Sequence, residues 1–166
     1  MNSHPVTVFC RSLAQLSAML DKTGNAPHML AARLHPDMLP FAQQVRAAVS
    51  FSLRGCCPLA GLEVADFSDA ASLQEQIAQT MRYLKAIPAE RFDGPLERLC
   101  RDRAGFADIA LPANEYLNLY ILPNFYFHFS MAYAIARSHG AAIGKGDFDG
   151  YHAYAPGFSF ERPAAP

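Results

Sequence analysis

The stretch LPNFYFHFSMAYAIARSHGAAIGK, residues 122–145, is the longest apolar and aromatic run in the chain. Pro123 suits the first turn of a helix, where its missing N–H costs nothing, and Gly140 suits the left-handed cap after the last turn. Apolar side chains cover most of the circumference of such a helix, which predicts a place in the middle of a helical bundle. Its polar interruptions exclude a membrane span, which needs about 20 mostly apolar residues.

Two polar residues, Asn124 and His128, share one face of this predicted helix. A polar group inside a core needs a hydrogen-bond partner, so both residues are candidates for a pocket that holds a small ligand. The alternative is a core histidine bonded to Asp37, Gln44 or a tyrosine such as Tyr133. Burial disfavours the charged imidazole, which predicts a neutral His128 at pH 7 unless Asp37 lies close to it.

Three further helices follow from apolar residues at helical spacing. The first covers residues 6–22, with a stripe of Phe9, Leu13, Leu16 and Leu20, and ends at Gly24-Asn25. The second begins near Pro36-Asp37, where Asp37 caps the helix or projects beside the core, and ends somewhere between Gly55 and Gly61. The third begins at residue 69 or 72, where Ser72 and Glu75 have capping-box spacing, and stops before Pro88. A short helical turn is expected from Pro27 to Leu34.

Residues 88–120 contain Gly94, Pro95, Gly105 and Pro112 and little periodicity, and only the run 106–111 has an extended character. A long irregular link of this kind is typical of a crossover connection in a bundle or of a functional loop. The sequence therefore predicts an all-α fold: a single-domain four-helix bundle over residues 1–150, with a long connection before the last helix.

Residues 151–166 form an aromatic, proline-rich tail without helical or strand period. Tyr151, Tyr154, Phe158 and Phe160 would make an unusual apolar patch if all were exposed. We therefore expect the tail to pack on the bundle or on a second subunit, with residues 163–166 frayed, and we expect a homodimer.

Composition narrows the classes of partner. The 166 residues include 14 basic and 15 acidic side chains, for a formal charge of -1, and no Lys/Arg block marks a nucleic-acid binder. The N-terminus has no pattern of a secretory signal, so a cytoplasmic protein without membrane partners is expected. The four cysteines form no C-x-x-C pair, which favours reduced, buried thiols. A reactive thiol or metal ligand at Cys56 or Cys57 is the alternative.

The six histidines are candidate metal ligands. His128 and His139 lie eleven residues apart on one helix, roughly 16 Å at about 1.5 Å per residue, too far to share an ion. His128 can still be one of several ligands to Zn²⁺, Ni²⁺ or Mn²⁺, with His35 or Asp37 as a second donor. Lys145 lies in a glycine-rich turn that lacks the pattern of a phosphate loop. The candidate pocket residues are His128, Asn124, Asp37, Gln44, Tyr133 and Lys145.

Several motifs together resemble one bacterial family, called domain of unknown function 1993. They are Arg33-Leu34-x-Pro36-Asp37-Met38, Gln44, the run from Leu122 to His128, Ala132-Tyr133-Ala134, His139-Gly140 and Ile143-Gly144-Lys145-x-Asp147-Phe148. The resemblance implies a bundle of the DinB/YfiT-like type, whose better-known members hold a divalent metal with three histidines, two of them close together on the last bundle helix. In this sequence His128 stands alone there, with Ala132 at the position of a second ligand.

Two hypotheses for function follow. The first is a small-ligand-binding or catalytically degenerate bundle with a polar pocket around His128. The second is a divalent-metal-dependent enzyme of the DinB-like type, carrying out small-molecule hydrolysis or thiol transfer. Neither hypothesis identifies the ligand or the substrate.

Overall fold

A computed structural model describes residues 4–24, 26–95, 98–155 and 158–160. The helices and strands follow one another in this order: α1 (Pro5–Thr23), α2 (Pro27–Ala31), α3 (Phe41–Leu59), α4 (Leu73–Ala86), a 3₁₀ turn (Ala89–Phe92), β1 (Leu99–Ala104), β2 (Ala107–Pro112), α5 (Ala113–Glu115), a π-helical segment (Tyr116–Ile121), α6 (Leu122–Ser138) and α7 (Lys145–Asp149). The predicted helical bundle is confirmed, and a small antiparallel hairpin is added to it.

Four long helices, α1, α3, α4 and α6, enclose the core. Helix α3 packs along α6 and against α4, α1 packs against α4, and α7 lies across α1. The predicted stripe of α1 is buried in full: Phe9, Leu13, Leu16 and Leu20 have no exposed surface. Within the described ranges, no helix is long and apolar enough to cross a bilayer.

Helix α4 begins as its sequence predicts. The Ser72 hydroxyl accepts a hydrogen bond of 3.1 Å from the backbone N–H of Glu75, which satisfies one of the free donors of the first turn. Its apolar face buries Leu73, Ile77 and Leu84. The predicted turn after Pro27 is also present, as α2.

The predicted start of the second long helix was wrong, whereas its end at Leu59 falls within the predicted range from Gly55 to Gly61. Helix α3 begins at Phe41, with Pro40 as its N-cap, so Asp37 does not cap it. Asp37 instead lies in an exposed turn, where its carboxylate pairs with the His35 ring. Gly55 lies inside α3 and is buried. A Cβ there would lie 2.7 Å from Cγ2 of Ile121, so glycine allows α3 to approach the π-helical segment closely.

The connection before α6 is more regular than predicted. Strands β1 and β2 pair from Leu99 with Pro112 to Ala104 with Ala107, and Gly105, at φ +61°, makes the tight turn between them. Of the expected extended run 106–111, all but Phe106 falls in β2. Helical backbone then begins at Ala113 and runs without interruption into α6.

The π-helical segment has a local cause. Pro123 has no N–H to donate to the carbonyl of Leu119, and its ring crowds that carbonyl in a regular α-helix. A wider turn over Tyr116–Ile121, immediately before Pro123, relieves the conflict. Pro123 lies in the first turn of α6, as its position suggested, and it also marks the change of helical pitch there.

Helix α6 has a buried and an exposed side. Phe125, Phe129 and Ile135 are buried, whereas Tyr126 and Phe127 are 37% and 52% exposed. The expected burial in the middle of the bundle holds for one side of α6 only, because each helix of a four-helix bundle keeps an outward face.

The described part of the tail packs mainly on itself. The Tyr154 and Phe158 rings stack at 4.9 Å, the Phe160 ring meets both edge-on, and all three remain exposed. Tyr151 alone of these aromatic residues reaches the bundle in the described structure, with the Arg11 guanidinium 3.9 Å above its ring. Residues 161–166, including the predicted frayed end, lie outside the described residues. A second subunit over the tail stays a prediction.

We expect Gly55→Ala to destabilise the protein by about 1–3 kcal/mol, because the new methyl group overlaps Ile121 and the Phe9 ring. In an unconstrained helix interior the same change stabilises by about 1 kcal/mol, so the sign of the effect is diagnostic. Urea unfolding measures it. A more stable variant would contradict the close approach of α3 to the π-helical segment.

Candidate functional site

His128 is held by Gln44 across the seam between α3 and α6. Its Nδ1 lies 2.7 Å from Oε1 of Gln44, whose side chain is buried. The Gln44 amide nitrogen donates to the carbonyl of Leu39 at 3.3 Å, which directs the amide oxygen toward the imidazole. Because that oxygen only accepts, Nδ1 carries the proton and Nε2 of a neutral His128 keeps a free lone pair. Nε2 has no hydrogen-bond partner among the described residues.

Aromatic side chains frame the imidazole. The Phe51 ring stacks on it with centroids 5.5 Å apart and planes 21° apart, and the half-exposed Phe127 ring meets it edge-on at 5.2 Å. Burial lowers the pKa of His128 below its usual value, and the positive charge of Arg54 lowers it further. The direction of this shift favours the neutral imidazole that the sequence predicted. Asp37 does not reverse the shift.

The other predicted pocket residues lie apart from this pair. Asn124 turns back along its own helix and donates to the carbonyl of Tyr120 at 2.7 Å. Asp37 pairs with His35 in the turn before α3. Tyr133 packs edge-on against Phe148, with ring centroids 5.9 Å apart. Lys145 begins α7 and is exposed. Of the six candidates, His128 and Gln44 are the two that a hydrogen bond joins.

The residues present do not fit a three-ligand metal centre. All six histidines and all four cysteines lie in the described ranges, and there no three His, Cys, Asp or Glu side chains converge on a common point. Asp37 and His35, the expected second donors, are occupied with each other at the surface. The cysteines are free and buried, and burial raises the pKa of both Cys56 and Cys57, which keeps those thiols protonated.

A polar network that the sequence did not reveal lies beside Phe51. The Arg54 guanidinium stacks on the Phe51 ring at 4.2 Å and donates to Asp102 of β1 at 2.8 Å and to the Tyr120 hydroxyl at 2.6 Å. Tyr116 donates to the same Asp102 oxygen at 3.1 Å. Burial and the Asp102 charge raise the pKa of Tyr116, so its hydroxyl stays protonated. The network fastens the hairpin to the bundle and holds a cation near His128.

The same network also provides a hydrogen bond to a carbonyl that α3 leaves unpaired. Pro58 lies inside the last turn and has no N–H to donate to the carbonyl of Arg54, four residues earlier. The Tyr116 hydroxyl lies 2.9 Å from that carbonyl and shares its one proton between the carbonyl and the Asp102 oxygen. Pro58 was visible in the sequence as a helix breaker, but the group that compensates for it lies 58 residues further along the chain.

Two clefts open elsewhere on the described surface. One, of about 570 Å³, lies between the start of α1, the end of α3, the segment after the 3₁₀ turn and the helix from α5 into α6. The other, of about 320 Å³, lies between α1, α6 and the start of the tail. His128 lines neither of them.

Comparison with known proteins agrees with this architecture. The chain is similar to a DinB family member protein from Shewanella denitrificans, whose crystal structure superposes with a TM-score of 0.77 at 26% identity over 90% of this chain and 92% of that one. The fold is thus a DinB-like helical bundle. No curated protein matches the chain.

A family model described as domain of unknown function (DUF1993) matches residues 1–149 of the chain. The match spans nearly the whole chain, so the protein belongs to the DUF1993 family, as its motifs suggested.

We expect His128→Ala to lower the free energy of unfolding by about 1–3 kcal/mol at pH 8, because it leaves the buried Gln44 oxygen without a donor. The folded pKa lies below the unfolded value, so the unfolded chain binds the proton more readily. The stability contributed by neutral His128 is therefore present above about pH 6.5 and is lost as the pH falls.

The difference between wild type and His128→Ala should accordingly shrink from pH 8 to pH 5 in urea unfolding. His28→Ala, which removes an exposed histidine of α2, is the matched control and should leave the pH profile unchanged. A difference that grows toward acid pH would contradict the burial of a neutral imidazole.

Tyr116→Phe should cost about 1–3 kcal/mol, because it leaves the carbonyl of Arg54 unpaired where Pro58 supplies no N–H. The same chemical change at the exposed Tyr126 should stay within about 0.5 kcal/mol. Thermal unfolding compares the two variants. Equal effects would show that the network adds nothing to stability.

Proposed function

We propose that this DUF1993 protein is a small-molecule-binding bundle that works without a metal, and that Nε2 of His128 accepts a hydrogen bond from the ligand. The observation that carries the proposal is the bond between Nδ1 of His128 and Gln44. It fixes one tautomer and leaves a basic nitrogen with no protein partner among the described residues.

The surroundings define the chemistry of the ligand. A free lone pair on a neutral imidazole requires a donor, so the ligand carries a hydroxyl or an N–H group. The exposed part of the Phe127 ring supplies an apolar surface beside it. The charge of Arg54 nearby disfavours a cationic ligand and keeps the imidazole unprotonated. A phenol or a similar apolar alcohol meets these requirements.

A divalent-metal enzyme of the DinB-like type is the second candidate, since the lone pair of Nε2 is also what a metal binds. In the described structure, this single imidazole is the feature that favours a metal enzyme. Ala132 follows His128 by one helical turn, where a second ligand on the same face would stand, and an alanine methyl cannot coordinate.

The first test uses p-cresol and toluene, which differ by the hydroxyl group alone. We expect p-cresol to shift the ¹⁵N resonance of His128 Nε2 in a saturable manner, and toluene to leave it in place. In Gln44→Ala the imidazole loses its fixed tautomer, and the response should weaken. If both compounds act alike, or neither does, the assignment of Nε2 as a ligand acceptor is wrong.

The second test separates the two candidates by melting temperature with and without Zn²⁺, Ni²⁺ or Mn²⁺. We expect no specific stabilisation of the wild type, because a ligand stabilises only through binding to the native state. Stabilisation by one of the ions that is abolished in His128→Ala, but retained in His28→Ala, would favour the metal enzyme and overturn the metal-independent proposal.

A further inference from the structure

The larger cleft has the size and wall of a small-molecule site. Its volume of about 570 Å³ falls within the range of about 300–1,000 Å³ typical of ligand pockets. Val8, Leu59, Leu117 and Leu122 give it an apolar wall, while His4, Asp93 and Arg98 place polar groups along its edge. Pockets of this composition hold an apolar ligand body and orient it through a few polar contacts.

His4 supplies an unsatisfied donor. Its Nε2 is buried and has no hydrogen-bond partner among the described residues, and the imidazole packs edge-on against Phe92 at 4.5 Å. A buried polar atom without a partner is destabilising unless something else pairs with it. A ligand oxygen in the cleft would satisfy this nitrogen when it carries the ring proton.

Arg98 supplies a positioned cation. Its Nη1 donates to the carbonyl of Leu59 at 3.0 Å, which holds the side chain at the end of α3. Two glycines make room for the guanidinium: a Cβ at Gly61 would lie 3.4 Å from Nη1, and one at Gly94 would overlap the group. No carboxylate pairs with Arg98 in the described structure, so its remaining N–H donors are available to an anion.

We propose that this cleft, separate from His128, binds a small monocarboxylic acid with an apolar chain. Arg98 and Nε2–H of His4 donate to the carboxylate, and the chain lies on the wall of Val8, Leu117 and Leu122. Asp93, exposed on the same lining, repels negative charge. It therefore disfavours a phosphate, with about -1.5 to -2 charges, more than a carboxylate with one.

Calorimetry at pH 7 measures the binding of hexanoate. Acetate, which lacks the apolar chain, and 1-hexanol, which lacks the charge, are the comparisons. We expect saturable binding of hexanoate alone, with amide NMR shifts confined to residues of the cleft. Arg98→Gln should weaken binding about tenfold or more, since hydrogen bonds to charged groups are strong. His4→Phe should weaken it without removing the positive charge.

Arg98→Gln also loses a contact with Leu59 and can disturb the fold, so Asp93→Asn provides a test in the opposite direction. Removing this exposed negative charge should tighten hexanoate binding about twofold to fivefold. Glu90→Gln makes the same change on the 3₁₀ turn outside the lining and should have no effect.

His128→Ala should bind hexanoate as the wild type does, so failure of this proposal and failure of the His128 proposal are distinguishable. Equal binding of hexanoate and 1-hexanol, no saturation, or no tightening in Asp93→Asn would each overturn the carboxylate site.

Discussion

The close approach of α3 to the helix that runs from α5 into α6 is the constraint on which the other features depend. Gly55 removes the side chain that would hold the two apart at Ile121. Along the same seam, Gln44 reaches His128, and Tyr116 reaches the carbonyl that Pro58 leaves unpaired. Polar groups meet inside the seam because the backbones lie close, and each finds a partner there rather than in water.

This seam also sets the chemistry of His128. In DinB-like proteins that hold a metal, a histidine on the last helix and other histidines nearby are the metal ligands. Here Nδ1 of His128 is bonded to Gln44, and Ala132 follows one helical turn later. A neutral amide cannot draw a proton onto the imidazole as a carboxylate would, and burial with Arg54 nearby opposes the charged form. The result is a neutral imidazole whose Nε2 can accept a hydrogen bond.

The hairpin belongs to the same unit through one carboxylate. Asp102 of β1 joins Arg54 of α3 to Tyr116 of the π-helical segment, so the strand and both helical segments meet at one partly buried ion pair. Arg54 and Asp102 are mostly buried, and removal of either partner would leave the other uncompensated. The bonds at Asp102 therefore fix where the crossover connection docks, close to the aromatic stack on His128.

The sequence by itself determined the features that depend on neighbours along the chain: the buried stripe of α1, the Ser72 cap of α4, the helical character of residues 122–138 and the family motifs. Tertiary structure decided the rest. Pro40 rather than Asp37 precedes α3, Gly55 lets α3 approach the π-helical segment, and Asp102 anchors a hairpin that local periodicity did not predict. Periodicity records which side of a helix is apolar, whereas the partner of a glycine, an orphaned carbonyl or an imidazole comes from a distant segment. Only the packed bundle selects Gln44 over Asp37 for His128, because that choice depends on which side chains the seam brings within hydrogen-bonding distance.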